Sequence, residues 1–239
     1  MIFLMLDYDG TLAPVVLNSA RARIGREMKN VLSRLASRDD MGMAIISGRT
    51  LADLKSRVGL DSIYYAGCHG FEMEGPGWSY NHPQIKQVAR QVDQLEKYLS
   101  GLLSGVKGCL IENKRYALTV HYRRVDKKLF PSVEKAARLA EKKSAGWMKM
   151  EPGRMIYEFK PSILWDKGRA VEMLLGLYQA YDPYPIYIGD DITDEPAFRY
   201  LRHSGLTALV ENDERLQPTA AVLRLRSVNH VLQFLKSLL

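Results

Sequence analysis

The chain has 239 residues, 46% of them apolar and 26% charged, with a formal net charge of +7. That length and apolar share suffice for a packed core with room for a second lobe, and the composition excludes a disordered chain. Only Cys68 and Cys109 are present, which excludes a disulfide scaffold and a cysteine-type metal site.

The first element is Ile2–Leu6, a short continuous apolar run that reads as a strand buried on both faces of a parallel sheet. It stops abruptly at Asp7-Tyr8-Asp9-Gly10-Thr11. Residues 20–37 suit a helix with Met28, Val31, Leu32 and Leu35 as its apolar stripe. Met41–Ile46 is a second buried-type strand and ends in Ser47-Gly48-Arg49. A helix over 50–58 and a strand over 63–66 follow, the latter ending in Gly67-Cys68-His69-Gly70. The order β-α-β-α-β argues for an open parallel sheet with crossover helices.

The pattern then changes. Pro76, Gly77 and Pro83 punctuate a loop or hairpin. From 84 to 104 the positions Val88, Val92, Leu95, Leu99 and Leu102 alternate spacings of four and three, as an amphipathic helix requires. Strands are expected over 109–113 and 116–123, a basic, solvated helix over 132–143, and strands over 148–150 and 154–161. Strands joined by short turns suggest an antiparallel sheet. The parallel pattern resumes with a helix over 167–178 and a strand over 185–188, which runs into Gly189-Asp190-Asp191-Ile192-Thr193-Asp194. Two short strands over 206–210 and 222–225 and a helix over 228–238 complete the chain. The expected fold is α/β: an open parallel-sheet core from residues 1–82 and 162–239, with an inserted α+β cap over 83–161.

In open α/β sheets ligands sit beyond the carboxyl ends of the strands. Asp7/Asp9, Ser47/Arg49, His69 and Asp190/Asp191/Asp194 all fall there. Such a site is rich in carboxylates and poor in histidine and cysteine, which favours Mg²⁺ over Zn²⁺. Asp7 and Asp190 could supply its ligands. A carboxylate can attack phosphorus and form an aspartyl-phosphate. Lys167 and the Ser47 hydroxyl would offset the charge, and Asp9 could serve as acid and base. Gly10 permits a tight turn that aims backbone N–H groups at a phosphate. Other readings stand beside these: Asp194 as a cap for the helix near Glu195, Lys167 as a solvated first-turn residue, His69 as a packed polar residue.

Asp7-Tyr8-Asp9-Gly10-Thr11, Ser47, Lys167 and Gly189-Asp190-Asp191 together resemble the haloacid dehalogenase phosphatase superfamily. The words LDYDGTL, SGR, HGFE, HYR, KG and GDDITDEPAF, from Asp7 to Phe198, are similar to those of the trehalose-6-phosphate phosphatases. The resemblance implies Asp7 as nucleophile and Asp9 as acid/base. It implies Thr11, Ser47, Gly48 and Lys167 as phosphate binders, and a Mg²⁺ site from Asp7, Asp9, Asp190 and Asp191 supported by Asp194. Where that family commonly carries Gly-Lys, a Glu and then Arg-Pro, this chain has Gly153-Arg154, Glu158 and Lys160-Pro161. The cations keep their charge and change their hydrogen-bonding geometry.

Period-2 alternation puts Thr119, His121 and Arg123 on one face of their strand, and Arg154, Glu158 and Lys160 on one face of theirs. The expected sugar contacts are Arg49, His69, His121, Arg123, Arg154, Glu158 and Lys160, the last five on a lobe that would exclude water and select the leaving group. An exposed sheet face is the plainer reading. The expected activity is Mg²⁺-dependent hydrolysis of trehalose 6-phosphate. Other sugar or glycoside phosphates, such as sucrose phosphate or a mannosylglycerate phosphate, and a non-catalytic phosphosugar-binding module are the alternatives. The short basic pieces do not form a nucleic-acid motif. Asp7 interrupts the apolar start before a signal sequence forms, and no run reaches the ~20 residues of a membrane span. A cytoplasmic monomer with no nucleic-acid or membrane partner is expected.

Overall fold

A computed structural model describes residues 1–16, 21–153, 155–212 and 218–239. In chain order its strands are β1 (Ile2–Leu6), β2 (Met41–Ile46), β3 (Tyr64–Gly67), β4 (Glu72–Gly75), β5 (Trp78–Asn81), β6 (Leu110–Asn113), β7 (Leu118–His121), β8 (Met148–Gly153), β9 (Ile156–Pro161), β10 (Tyr184–Gly189), β11 (Leu206–Val210) and β12 (Leu223–Leu225). Its α-helices are α1 (Arg26–Ala36), α2 (Leu51–Val58), α3 (Ile85–Leu103), α4 (Phe130–Lys143), α5 (Lys167–Gly176), α6 (Glu195–Leu201) and α7 (Val228–Ser237). They fall into two compact units: Met1–Asn81 with Trp165–Leu239, and His82–Leu164. The second crossing thus follows Leu164, past the Pro161 expected from sequence. Among the described residues no helix is long and apolar enough to cross a membrane.

The first unit is built on an eight-stranded sheet in the order β12-β11-β10-β1-β2-β3-β4-β5. The pairs from β12 to β3 are parallel, and β4 and β5 add an antiparallel hairpin. The segment with two readings around Pro76 and Gly77 is therefore a hairpin that extends the main sheet. The apolar run of β1 is continuous because both of its faces are covered. Leu4 and Leu6 pack with Met28, Leu32 and Leu35 of α1 and with Val231 and Leu235 of α7. Phe3 and Met5 pack on the opposite side with Val171 and Leu174 of α5 and Phe198 and Leu201 of α6. The helix expected over 20–37 starts later, at Arg26 behind an extended Gly25. Its expected first residue, Ala20, lies outside the described residues.

The second unit is a four-stranded antiparallel sheet, β6-β7-β9-β8. The helix α3 packs on β6 and β7, and α4 on β8. The four–three spacing holds for Val88, Val92, Leu95 and Leu99, which are buried, but at the end of the helix Leu102 is exposed and Leu103 is buried in its place. The basic helix α4 is less solvated than expected, because Val133, Ala136, Ala137 and Ala140 form a buried stripe. Strand β7 is shorter than the expected 116–123. A tight turn precedes it, with Lys114 N donating to Ala117 O (2.9 Å) and Arg115 left-handed at φ 71°. Another turn follows it, closed by Val125 N on Tyr122 O (3.1 Å).

Phe198 is fully buried and meets the Tyr187 ring edge-on, with centroids 5.7 Å apart. Phe198→Ala should lower the unfolding free energy by about 3–5 kcal/mol through lost burial and a residual cavity. Urea unfolding followed by circular dichroism measures it. A loss below about 1 kcal/mol would mean that this side of the sheet collapses onto the void.

Candidate active site

The carboxyl end of β1 is fixed first. Asp7 N donates to Ile188 O of β10 (2.9 Å), and the chain then turns so tightly that Leu12 N and Ala13 N both reach Tyr8 O (2.9 Å). Gly10 sits in this turn at φ +81°, and a Cβ there would fall 1.9 Å from Asp190 Oδ2. Glycine thus serves twice, for the left-handed backbone and for the close approach of a carboxylate.

Asp7, Asp190 and Asp194 are all buried, and each brings an oxygen within 4.8 Å of the others. Lys167, the first residue of α5, is 2% exposed. Its Nζ donates to Asp7 Oδ1 and Asp194 Oδ1, each at 2.6 Å, so it is not a solvated first-turn residue. Asp194 does not cap α6 with its side chain. The carboxylate turns inward, where Oδ1 accepts from Lys167 and the Tyr187 hydroxyl (2.6 Å) and Oδ2 from Asp190 N (3.0 Å) and Asp191 N (2.9 Å). Asp191 is exposed, and its carboxylate accepts from Thr193 Oγ1 (3.4 Å). The acidic group is thus centred on Asp194, and the Asp9 and Asp191 side chains lie outside it.

Burial drives the electrostatics here. It raises the Asp7 carboxyl well above the usual range, with Lys167 opposing and Asp194 and Asp190 reinforcing. Burial, then the Asp194 charge, pushes Asp190 up to about 7. Burial pulls Lys167 down, yet Asp194 and Asp7 overcome it and hold the ammonium above its ordinary value. Three carboxylates face one lysine, a surplus of negative charge that adds to burial in raising Asp7 and Asp190. An all-oxygen donor set with that surplus fits a hard divalent cation such as Mg²⁺.

The neighbouring loops complete the floor. Ser47 is 1% exposed at the end of β2, and its Oγ accepts from Arg49 N (3.2 Å). Thr11 Oγ1 is buried and has no hydrogen-bond partner among the described residues. Cys68 and His69 adopt left-handed backbone (φ 50° and 58°), a costly conformation for non-glycine residues. Cys68 N on Arg49 O (2.7 Å) and His69 N on Ser47 O (2.8 Å) hold it. The His69 ring lies against Gly48, where a Cβ would come within 2.8 Å of it.

Arg49, expected to meet sugar, is engaged differently. Its Nε and Nη2 donate to the two oxygens of Asp9 at 2.7 and 2.6 Å. On the second unit, Glu112, Thr119, Glu158 and Glu151 form one row across four strands. Glu158 pairs with Lys114 (3.3 Å) and Lys160 (3.2 Å), Lys160 with Glu151 (2.7 Å), and His121 with Glu112 (2.9 Å). Burial pushes Glu158 up, but Lys114 and Lys160 outweigh it and hold the carboxyl below its ordinary range. Thr119 is fully buried within this face. Arg123 is exposed on the turn after β7, off the strand where alternation placed it. Arg154 lies outside the described residues.

Two supporting residues escaped the sequence reading. Tyr187 puts a phenol between Ile186 and Ile188 in the buried part of β10, and that phenol was its signal. Asn212 Nδ2 donates to Asp190 O (2.9 Å) and reaches Oδ2 (3.4 Å). It follows β11, another strand end where a polar residue merited notice.

A family model for trehalose-phosphatase matches residues 5–228. The chain is 37% identical over 219 residues to trehalose-phosphate phosphatase B of Arabidopsis thaliana, covering 85% of this chain and 57% of that protein. It is 34% identical over 254 residues to the probable trehalose-phosphate phosphatase H of the same plant, covering 99% and 71%. With the C-terminal domain of a C. albicans trehalose-6-phosphate phosphatase it shares the fold, at a TM-score of 0.77 and 24% identity over 99% and 91% of the two chains. A haloacid dehalogenase-like hydrolase from Bacteroides thetaiotaomicron has the same fold, with a TM-score of 0.62, 13% identity and 100% and 99% coverage. A site of buried carboxylates around one lysine, on a parallel sheet with an inserted α+β unit, thus accompanies a match over nearly the whole sequence: the chain belongs to the trehalose-phosphatase family, phosphoric monoester hydrolases of haloacid dehalogenase-like fold.

Proposed function

We propose that the protein hydrolyses trehalose 6-phosphate to trehalose and phosphate through an aspartyl-phosphate on Asp7. The observation that carries this reading is the buried convergence of Asp7, Asp190 and Asp194 on Lys167. Lys167 binds one Asp7 oxygen and so orients the carboxylate towards phosphorus. An Asp7 oxygen attacks, the phosphorus–sugar oxygen bond breaks, and Asp9 gives its proton to the departing sugar oxygen. Water then attacks the aspartyl-phosphate, Asp9 takes its proton, and phosphate leaves. Ser47, Thr11, the backbone of Gly48 and Lys167 bind the phosphate oxygens. Asp7 and Asp190, supported by Asp194 and Asn212, would hold Mg²⁺, which supplies charge neutralisation at the phosphate. Glu158, Lys160 and His121 recognise the sugar, and a cytoplasmic monomer is part of the same reading. The exchange of Arg-Pro for Lys160-Pro161 favours, as second reading, another disaccharide or glycoside phosphate. A phosphate-release screen over sugar phosphates, with and without Mg²⁺, decides between them.

Asp7→Asn should cut turnover by about 10³ or more while the protein stays folded. Phosphate release at the wild-type rate would remove Asp7 as nucleophile. EDTA should stop the reaction and Mg²⁺ restore it. Mg²⁺ at one hundred times its Kd should also stabilise the wild type by about 2.7 kcal/mol, and Asp190→Asn should lose this thermal shift. An unchanged shift in that variant would place the ion elsewhere. For the sugar, Glu158→Gln should lower kcat/KM for trehalose 6-phosphate about tenfold or more, since a hydrogen bond to a charged group contributes about 1.5–3 kcal/mol. The same variant should keep kcat/KM for p-nitrophenyl phosphate. Equal losses on both substrates would reduce Glu158 to a structural residue.

A further inference from the structure

The side chain of Asp9 is 39% exposed, whereas that of Asp7 is 6% exposed. Such a carboxylate ordinarily turns about its own torsions in water. Here both of its oxygens lie in the fork of Arg49, whose side chain is 10% exposed. A fork-to-carboxylate pair fixes the plane of the acid only as well as the guanidinium itself is fixed. Arginine reaches that plane through a long rotatable stem.

Further contacts hold the guanidinium. Its Cζ stands 5.1 Å from the centre of the buried Tyr8 ring, which covers one of its faces. On the edge away from Asp9, Nη1 donates to Asp53 Oδ2 at 2.8 Å. The same Asp53 oxygen accepts from Arg57 Nε at 2.8 Å, and Arg57 Nη1 donates to Ala22 O at 2.6 Å. Asp53 lies in the first turn of α2, where its own N–H is bound by the N-cap hydroxyl of Thr50 (3.3 Å). Asp9, Arg49, Asp53 and Arg57 thus alternate in charge and end on a helix and a backbone carbonyl.

We propose that Asp53, backed by Arg57, is a positioning residue for the acid/base carboxylate of Asp9, acting through Arg49; this rests on the reading of Asp9 as acid/base. When Asp9 turns one oxygen to the leaving group, Arg49 keeps its bond to the other oxygen. Asp53 stops the guanidinium from following. The proton then travels from a carboxylic acid whose plane is set by α2.

The test uses a series of aryl phosphates, which lack the sugar, and the spread of kcat/KM between good and poor leaving groups. A poor leaving group needs the acid and a good one does not, so loss of proton delivery widens the spread. Asp9→Asn should widen it about a hundredfold. Asp53→Asn should widen it about tenfold, and the double variant no more than Asp9→Asn alone, since the two residues act in one chain. Circular dichroism checks that Asp53→Asn folds; if it does not, Arg57→Gln is read in the same way. A wild-type spread in the folded variant, with Asp9→Asn widened, overturns the positioning role and leaves Asp9 as the acid. An unwidened Asp9→Asn overturns the acid/base reading itself, and the positioning role with it.

Discussion

The ammonium of Lys167 is the interaction on which the site depends. It lies 2.6 Å from Asp7 Oδ1 and 2.6 Å from Asp194 Oδ1, and neither acid is solvated. A buried charge is tolerated only when paired and hydrogen-bonded. This one sits at a helix N-terminus, where the backbone dipoles oppose a cation. The two carboxylates outweigh that cost and in doing so join three distant segments: the turn after β1, the start of α5 and the turn after β10. One ammonium offsets only part of the acidic charge gathered here. The remaining negative surplus, felt by both Asp7 and Asp190, is one that a divalent cation would offset.

Much of this was legible before any coordinates, and for a physical reason. A run such as Ile2–Leu6 or Met41–Ile46 has one stable solution, a strand covered on both faces, and its observed ends coincide with those read from sequence. The acids that terminate such runs mark the carboxyl edge of the sheet. What stayed hidden were pairings between residues far apart in the chain. Nothing local tells that Arg49 takes Asp9, forty residues away, or that Asp194 rather than Asp191 turns inward. Arg123 shows the opposite failure. Alternation placed it on a strand, but the turn after His121 ends the pairing and removes it from the face.

The second unit illustrates how a charged surface can be ordered. Glu158 is flanked by Lys114 and Lys160, Lys160 also meets Glu151, and His121 meets Glu112. The net charge of +7 therefore does not produce a uniformly basic face here. Side chains in such a network have already lost much of their rotational freedom, so a polar ligand that meets them forfeits less entropy on binding.

The sheet order has a consequence for biosynthesis. Ile2 pairs with Tyr184, and the strand that completes the middle of the sheet follows the whole of the inserted unit. His82–Leu164 form a compact unit of their own, so this unit can close while β10 is still inside the ribosome. At roughly 5–20 residues per second, β1 waits for many seconds with one apolar edge unpaired. Open strand edges of that kind recruit other strands. The nascent chain is therefore most exposed to aggregation after its second unit has folded and before its first one can, which makes that interval the natural point of engagement for a chaperone.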